Sequence, residues 1–463
     1  MRADDFDADA VAQSLERPHV GVASIALGRM VSRIANGARG IGAAGWAGHD
    51  EHVKSDRVLP TDAWVCAAHL VDPNLLGDLS AHFRAADCSI CPAEGSDAVP
   101  LERLATIVLA AAKKRYDHVG FVPDDEQVAD EVAPREVIRS TLTGAVADGA
   151  LNHVLDAITP LIRSTQQWYE TYDEGTTVGT HFFWRDFEYR VKHQSRLLIP
   201  PREEKPVTPP EWNYALANEM VEFATKHCAP LVLNPGTRLY RARIARDVWR
   251  LEEEVRNNPS KQMGPPPTDF ASAGRLSADG MPMLYTAREP ETACAEVASH
   301  SPYDECVVAT FEVRQPLRLL DLTVIPDLPS IFDQTYTEFA SRRFAFEFYR
   351  DRMMDYIPGD DRQAMEYLPS QILTEAFRWL SDPTIHGVAY PSAAGVGGTN
   401  IALFFDDNEW ITEPGARPNY FASPNKPNSY MPDEFEFRAV LEVQPDSVRR
   451  YRVERRAIVH RSR

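Results

Sequence analysis

Five prolines fall within residues 200–212, and they constrain the fold of this chain more than any other feature. A proline ring removes a backbone donor and clashes with the preceding helical turn, so neither a helix nor a central strand continues through such a stretch. Charged residues are interspersed among the prolines, which is typical of a linker. The sequence therefore predicts separate folded parts before and after residue 200.

Five segments follow from this boundary. Residues 1–58 are rich in Ala, Gly and Asp and predict a loosely ordered extension. Residues 59–200 carry apolar residues at helical spacing and predict a mainly helical domain. Residues 201–235 predict a proline-rich linker and a lead-in helix that connect this domain to the rest of the chain. Residues 236–446 mix strand-like and helix-like patterns and predict an α+β domain, followed by a basic tail at 447–463.

Composition limits the class of protein. Apolar residues make up 44% of the 463 residues, enough to bury proper cores, and no stretch approaches the length of a transmembrane helix. The acidic N-terminus is unlike a secretory signal, and six scattered cysteines fit a reducing compartment, so we expect a cytoplasmic protein without membrane association. The net charge of −19 opposes general nucleic-acid binding, although a local group of arginines can still bind a small anion.

Several elements are predicted from local patterns. Residues 99–119 and 151–172 predict amphipathic helices, and residues 331–356 predict a long helical insertion. Residues 306–313 and 317–322 predict two adjacent strands.

Chemically informative residues are concentrated between positions 239 and 296. Arg241 follows a tyrosine in a short strand-like run, and Arg243 faces the same side if that run is extended. Arg275 follows a glycine, beside a backbone that an anion can approach closely. Tyr285 ends an apolar run, and Glu296 lies within a predicted helix. Arginine, tyrosine and carboxylate together suit a substrate with phosphates, a flat ring and a developing positive charge, such as a dinucleotide.

The order of these motifs resembles that of the RES domain. The pattern is Tyr-Arg, Gly-Arg, apolar-apolar-Tyr and Ala-x-Glu-Val, followed by Tyr-Pro-Ser at Ser392. The resemblance implies a fold similar to that of ADP-ribosyltransferases and an NAD⁺-degrading enzyme of a toxin–antitoxin pair. It also implies an Xre-type antitoxin as a partner that covers the site. The helical region before residue 200 resembles the HEPN-like domain that precedes larger RES domains.

Roles for the site residues follow from this resemblance and from the chemistry of NAD⁺. Glu296 would stabilise the positive charge that develops on the ribose, and Arg241 and Arg275 would bind the pyrophosphate. Tyr285 would stack on the nicotinamide, and Ser392 would bind the ribose or position its neighbours. The acceptor is water in a glycohydrolase or phosphate in a phosphorylase. An ADP-ribosyltransferase shares the same donor site, and an inactive RES domain that only binds a ligand is a third hypothesis.

A separate pattern lies in the N-terminal domain. Cys66-x-x-His69 and Cys88-x-x-Cys91 form two pairs, each with two residues between its members. This spacing approximates that of structural zinc sites, with one cysteine replaced by histidine. The alternative is a set of buried cysteines with His69 on the surface.

Overall fold

The computed structural model of this protein describes residues 56–117, 131–163, 167–170, 177–203, 205–299, 301–355, 362–394, 397–405, 410–415 and 439–454. Most of the predicted extension at 1–58, and the end of the predicted tail at 455–463, lie outside the described residues. Helices and strands both occur throughout the described parts, as an α+β protein requires. None of the described helices combines the length and apolarity needed to cross a membrane.

The N-terminal part contains helices and short strands. The helices are α1 (Pro73–Leu79), α2 (Leu101–Ala112), α3 (Pro134–Leu142), α4 (Leu151–Ile158) and α5 (Thr177–His193). The strands are β1 (Arg57–Val58), β2 (Trp64–Cys66), β3 (Arg84–Ala86), β4 (Ser96–Pro100), β5 (Tyr116–Asp117), β6 (Glu131–Val132), β7 (Ile162–Arg163) and β8 (Trp168–Glu170). They form three small sheets, in the orders β1-β7, β2-β4-β3 and β5-β8-β6.

The helix predicted over residues 151–172 is only half correct. Helix α4 ends at Ile158 and continues as a 3₁₀ turn over Thr159–Leu161. Pro160 cannot donate the next helical hydrogen bond, so the chain leaves the helix and enters β7 and then β8.

The C-terminal part contains the larger sheet. Its strands are β9 (Leu231–Leu233), β10 (Arg238–Ile244), β11 (Leu284–Ala287), β12 (Glu305–Val313), β13 (Leu317–Asp321), β14 (Gly387–Pro391), β15 (Thr399–Leu403), β16 (Ile411–Thr412) and β17 (Leu441–Arg452). Its helices are α6 (Pro209–His227), α7 (Val248–Asn257), α8 (Pro259–Met263), α9 (Pro290–Ser299), α10 (Tyr336–Met354), α11 (Gln363–Glu366) and α12 (Leu368–Leu380).

The strands lie in the order β16-β17-β12-β10-β11-β15-β14-β13-β9. The expectation that β12 and β13 are adjacent is therefore wrong. Strand β12 is paired on both sides, by β10 and by β17, so no free edge remains for the next strand. After the turn at Gln315 the chain crosses to the far end of the sheet, where β13 pairs parallel to β14 and antiparallel to β9.

The two larger apolar cores of the C-terminal part flank the large sheet. One is formed mainly by β12, β13, β15 and β17 against the insertion helices α7 and α8. The other joins α6, α10 and α12 to the opposite face, and it also includes Trp184, Phe187 and Val191 of α5. Helix α5 therefore packs with the C-terminal part although it precedes the proline cluster.

A third core belongs to the N-terminal part. It is built by α1 to α4 and also encloses Phe332, which precedes α10. Lys114 reinforces this contact, because its Nζ donates to the carbonyl oxygens of Ile331 and Asp333, each over 2.8 Å. The segment before α10 is therefore anchored in the N-terminal core.

Candidate functional site

Glu296 is held on α9 by two donors from neighbouring segments. The helix begins at Pro290, where a proline is well tolerated in the first turn. Ser392 Oγ and Asn400 Nδ2 both donate to Glu296 Oε1, each over 2.7 Å. Among the described residues none donates to the other oxygen, Oε2. The carboxylate is thus fixed in position with one oxygen available to a ligand.

The loop before β15 is pinned to the start of α9. Thr292 Oγ1 donates to Glu289 Oε2 and to the carbonyl oxygen of Gly397, and the backbone N–H of Thr399 donates to Glu289 as well. Gly398 has φ of 103°, and a Cβ there would lie 2.2 Å from Thr292 Oγ1. Only glycine fits this conformation and this space. The loop therefore places Asn400 within hydrogen-bond distance of Glu296.

Arg275 lies in a turn that the first residues of α12 support. Ser370 Oγ donates to the carbonyl oxygen of Arg275 over 2.6 Å, and Gln371 Nε2 donates to that of Gly274 over 2.7 Å. Arg275 Nη1 itself donates to the carbonyl oxygens of Met353 and Asp355, at the end of α10. One nitrogen of the guanidinium is thus used structurally, and Nε and Nη2 are not engaged by the described residues.

A glycine is needed before Arg275 for a different reason from the one predicted. A Cβ at Gly274 would lie 2.9 Å from Tyr285 Oη and 3.3 Å from Ser277 Oγ. Those two hydroxyls are hydrogen-bonded to each other over 3.0 Å. Gly274 therefore makes room for Tyr285.

Arg241 on β10 carries a buried nitrogen without a partner. The residue as a whole is partly exposed, but its Nη1 is buried and donates a hydrogen bond to none of the described residues. Burial, reinforced by the charge of Arg243, lowers the pKa of Arg241 to about 10, so the group remains a cation at neutral pH. Leaving a buried charged donor unpaired is costly, which indicates a site for an anion.

Arg243 has a structural partner instead. Its Nη1 donates to both the carbonyl oxygen and the side-chain Oε1 of Gln262, each over 2.7 Å. It contributes positive charge near Arg241, but Nη1 is engaged by α8.

Two tyrosines connect the arginines to the carboxylate. Burial raises the pKa of Tyr285, and the positive charge of Arg241 opposes this shift only weakly. The phenol therefore stays neutral. Burial, together with the proximity of Tyr285 and Glu296, raises the pKa of Tyr390 well above its ordinary value, and Arg275 counteracts this. Tyr390 therefore lies within electrostatic reach of Tyr285, Glu296 and Arg275.

Contacts and electrostatic interactions link the five predicted site residues, in part through Tyr390. Ser392 contacts Glu296 directly, Arg241 interacts electrostatically with Tyr285, and Tyr390 interacts with Tyr285, Glu296 and Arg275. Sequence reasoning missed Asn400 and Tyr390. Asn400 offered a weak signal, because it is a polar residue at the start of an otherwise apolar strand.

The four predicted metal ligands form a second cluster, in the N-terminal part. The ligand atoms of Cys66, His69, Cys88 and Cys91 all lie within 4.8 Å of one another. The pKa of Cys88 is lowered to about 6. Burial alone would raise it, but backbone N–H groups directed at the sulfur stabilise the thiolate more strongly.

Comparison with known proteins identifies one domain. Residues 238–416 match the family model of the RES domain, a family generally made up of NAD-acting enzymes. The match runs from β10 to just beyond β16 and includes Arg241, Arg275, Tyr285, Glu296 and Ser392. No curated protein matches the chain, and no solved structure matches it.

Proposed function

We propose that this protein cleaves the bond between nicotinamide and ribose in NAD⁺. The observation that carries the proposal is the carboxylate of Glu296, held by Ser392 and Asn400 with Oε2 directed to no described partner. When the C1′–N bond breaks, its electron pair leaves with nicotinamide, which becomes neutral, and positive charge develops on the ribose. A fixed carboxylate stabilises that charge more than it stabilises the ground state.

The arginines provide the anion site that a dinucleotide needs. Arg241 Nη1 and Arg275 Nε and Nη2, which pair with no described residue, are donors of the kind that bind a pyrophosphate bidentately. Pairing with phosphate oxygens would also remove the cost of the buried, unsatisfied guanidinium nitrogen.

Tyr285 supplies an aromatic ring for the nicotinamide. Its neutral hydroxyl is anchored by Ser277, so the orientation of the ring is fixed before the substrate arrives. A pre-oriented ring loses little conformational entropy when a flat ligand stacks on it.

Water is the simplest acceptor and would yield ADP-ribose, whereas phosphate would yield ADP-ribose 1″-phosphate. We further propose that this activity makes the protein an intracellular toxin, with an Xre-type antitoxin as its restraining partner. Expression of the wild type is then expected to lower cellular NAD⁺ and stop growth, and expression of Glu296→Gln is expected to do neither.

Nicotinamide release from NAD⁺ by the purified protein tests the proposed chemistry. The wild type should release nicotinamide, and Glu296→Gln should reduce the rate by about 100-fold or more. Glu291→Gln is the matched control, because Glu291 is an exposed carboxylate in the first turn of the same helix.

The products, separated by chromatography with and without phosphate, identify the acceptor. A labelled macromolecule in place of free ADP-ribose would identify an ADP-ribosyltransferase. Equal rates for Glu296→Gln and the wild type would remove the basis of the proposal.

A further inference from the structure

The ligand cluster in the N-terminal part is assembled from two separate chain segments. Cys66 ends β2, and the 3₁₀ turn Ala67–His69 follows directly, so that His69 returns towards the sulfur. Cys88 and Cys91 lie in the hairpin loop that joins β3 to β4. Because β4 lies between β2 and β3 in the sheet, the two pairs meet beside it.

The structure assigns a zinc site to this cluster: we propose that Cys66, His69, Cys88 and Cys91 bind one zinc ion in a closed, structural site. Three thiolates and one imidazole are a ligand set that zinc takes in structural sites. Four protein ligands complete its tetrahedron and leave no position for water or substrate. The site lies outside the RES match.

Distances within the cluster agree with this coordination. Two sulfurs, each about 2.3 Å from a zinc ion at the tetrahedral angle, are about 3.8 Å apart. Cys66 Sγ and Cys91 Sγ are 3.8 Å apart, and all four ligand atoms fit within 4.8 Å of one another.

His69 provides an independent observation. Its Nε2 is buried and has no hydrogen-bond partner among the described residues. Buried polar atoms nearly always have a partner, so this imidazole nitrogen beside three sulfurs indicates a metal ligand. A zinc ion would accept the lone pair of this nitrogen.

Backbone groups support the charge of the bound thiolates. The N–H groups of Cys66 and Ile90 both point at Cys88 Sγ, each over 3.4 Å. Hydrogen bonds of this kind to a ligand sulfur are typical of the surroundings of metal sites, where they orient the ligand and tune its basicity.

A disulfide explains the cluster less well. The sulfur–sulfur bond is about 2.05 Å long, much shorter than the 3.8 Å between Cys66 and Cys91. A single bridge would also leave the third thiol and the buried nitrogen of His69 without a partner.

The metal would stabilise the N-terminal core, which contacts the RES domain at Phe332. Cys66 follows Val65 and His69 precedes Leu70, and both apolar neighbours belong to the core that encloses Phe332. By joining β2 to the β3–β4 hairpin, zinc would hold one edge of that core in place.

Metal content of the full-length protein, purified under reducing conditions, tests the proposal. We expect one zinc per chain by mass spectrometry, lost in Cys88→Ser and Cys91→Ser. Cys228→Ser is the matched control, since Cys228 is a partly buried cysteine outside the cluster, and it should keep its zinc. His69→Cys should also keep zinc, because it converts the site to four thiolates.

A second measurement does not depend on the folding of the variants. Replacing the metal of the wild type with cobalt should give the absorption bands of tetrahedral thiolate coordination, and removing metal with a chelator should lower the melting temperature until zinc is restored. Absence of stoichiometric metal and of the cobalt spectrum would overturn the proposal. So would stoichiometric iron in place of zinc, or equal loss of zinc from Cys228→Ser.

Discussion

Asn400 is expected to position the carboxylate of Glu296 for the proposed reaction, and its replacement tests this directly. The residue is 4% exposed, and its amide donates to Glu296 Oε1 over 2.7 Å. A hydrogen bond to a charged group contributes about 1.5–3 kcal/mol. If that contribution is fully realised in the transition state, Asn400→Ala lowers kcat for nicotinamide release by roughly 10- to 150-fold.

Asn400→Asp separates the effect of the donor from that of shape. Repulsion between two carboxylates 2.7 Å apart is roughly 6 kcal/mol at an effective dielectric constant of about 20. The pair therefore shares one proton at neutral pH, which restores a hydrogen bond between the two carboxyls in place of the one from the amide. Repulsion raises the pKa of the introduced carboxyl, so this donor is present below that pKa and lost as the pH rises through it.

The assay is the rate of nicotinamide release over a range from mildly acidic to alkaline pH, with thermal melting as a check on folding. Asn400→Asp should approach the wild-type rate at neutral pH and fall below it progressively in alkaline solution, whereas Asn400→Ala should be slow throughout. If Asn400→Ala keeps the wild-type rate while Glu296→Gln is inactive, the two-donor arrangement has no role in positioning Glu296.

Two further substitutions test the surroundings of the site. Arg241→Met removes a buried charged nitrogen that pairs with no described residue, so it should raise the melting temperature while it lowers kcat/KM for NAD⁺ by about tenfold or more. Gly398→Ala should cost about 1–3 kcal/mol of folding stability and reduce activity, because its Cβ would collide with Thr292 Oγ1 and its φ is 103°. Gly415→Ala is the control in a denaturant titration, since φ is 78° there but no atom of a described residue lies within 4 Å of the added Cβ. An equal loss in both glycine variants would contradict the steric part of the argument.

Local sequence patterns predicted individual elements well. Helix α9 includes Glu296, as the sequence predicted, and the apolar run that ends at Tyr285 overlaps strand β11. Pairing between distant strands leaves no such local trace, so the order of β12 and β13 was predicted wrongly. The same limitation concealed Asn400, whose role depends on β15 lying beside β11 and close to α9.

The proline cluster shows in the same way that a local pattern predicts where an element ends but not which core it joins. Proline stops regular hydrogen bonding locally, so the sequence correctly indicates an interruption between α5 and α6. It does not indicate which core α5 joins. Since Trp184 and Phe187 pack with α6, α10 and α12, we propose that the domain boundary precedes α5.

Helix α10 links the N-terminal core to the candidate active site, and Phe332→Ala tests that link. Phe332 is 4% exposed within the N-terminal core, and the 19-residue helix that follows spans about 28 Å to the carbonyl groups that Arg275 binds. A cavity at Phe332 should cost about 3–5 kcal/mol and loosen the start of α10. We therefore expect a higher KM for NAD⁺ at a temperature where the variant is folded.

Leu75→Ala provides the control for this experiment. Leu75 is fully buried in the same core but belongs to α1, so its truncation should cost about 2–5 kcal/mol without loosening α10 directly. A rise in KM in Phe332→Ala alone would show that the position of Arg275 depends on the N-terminal core through α10. An equal rise in both variants would mean that loss of stability, and not the helix, weakens binding of the dinucleotide.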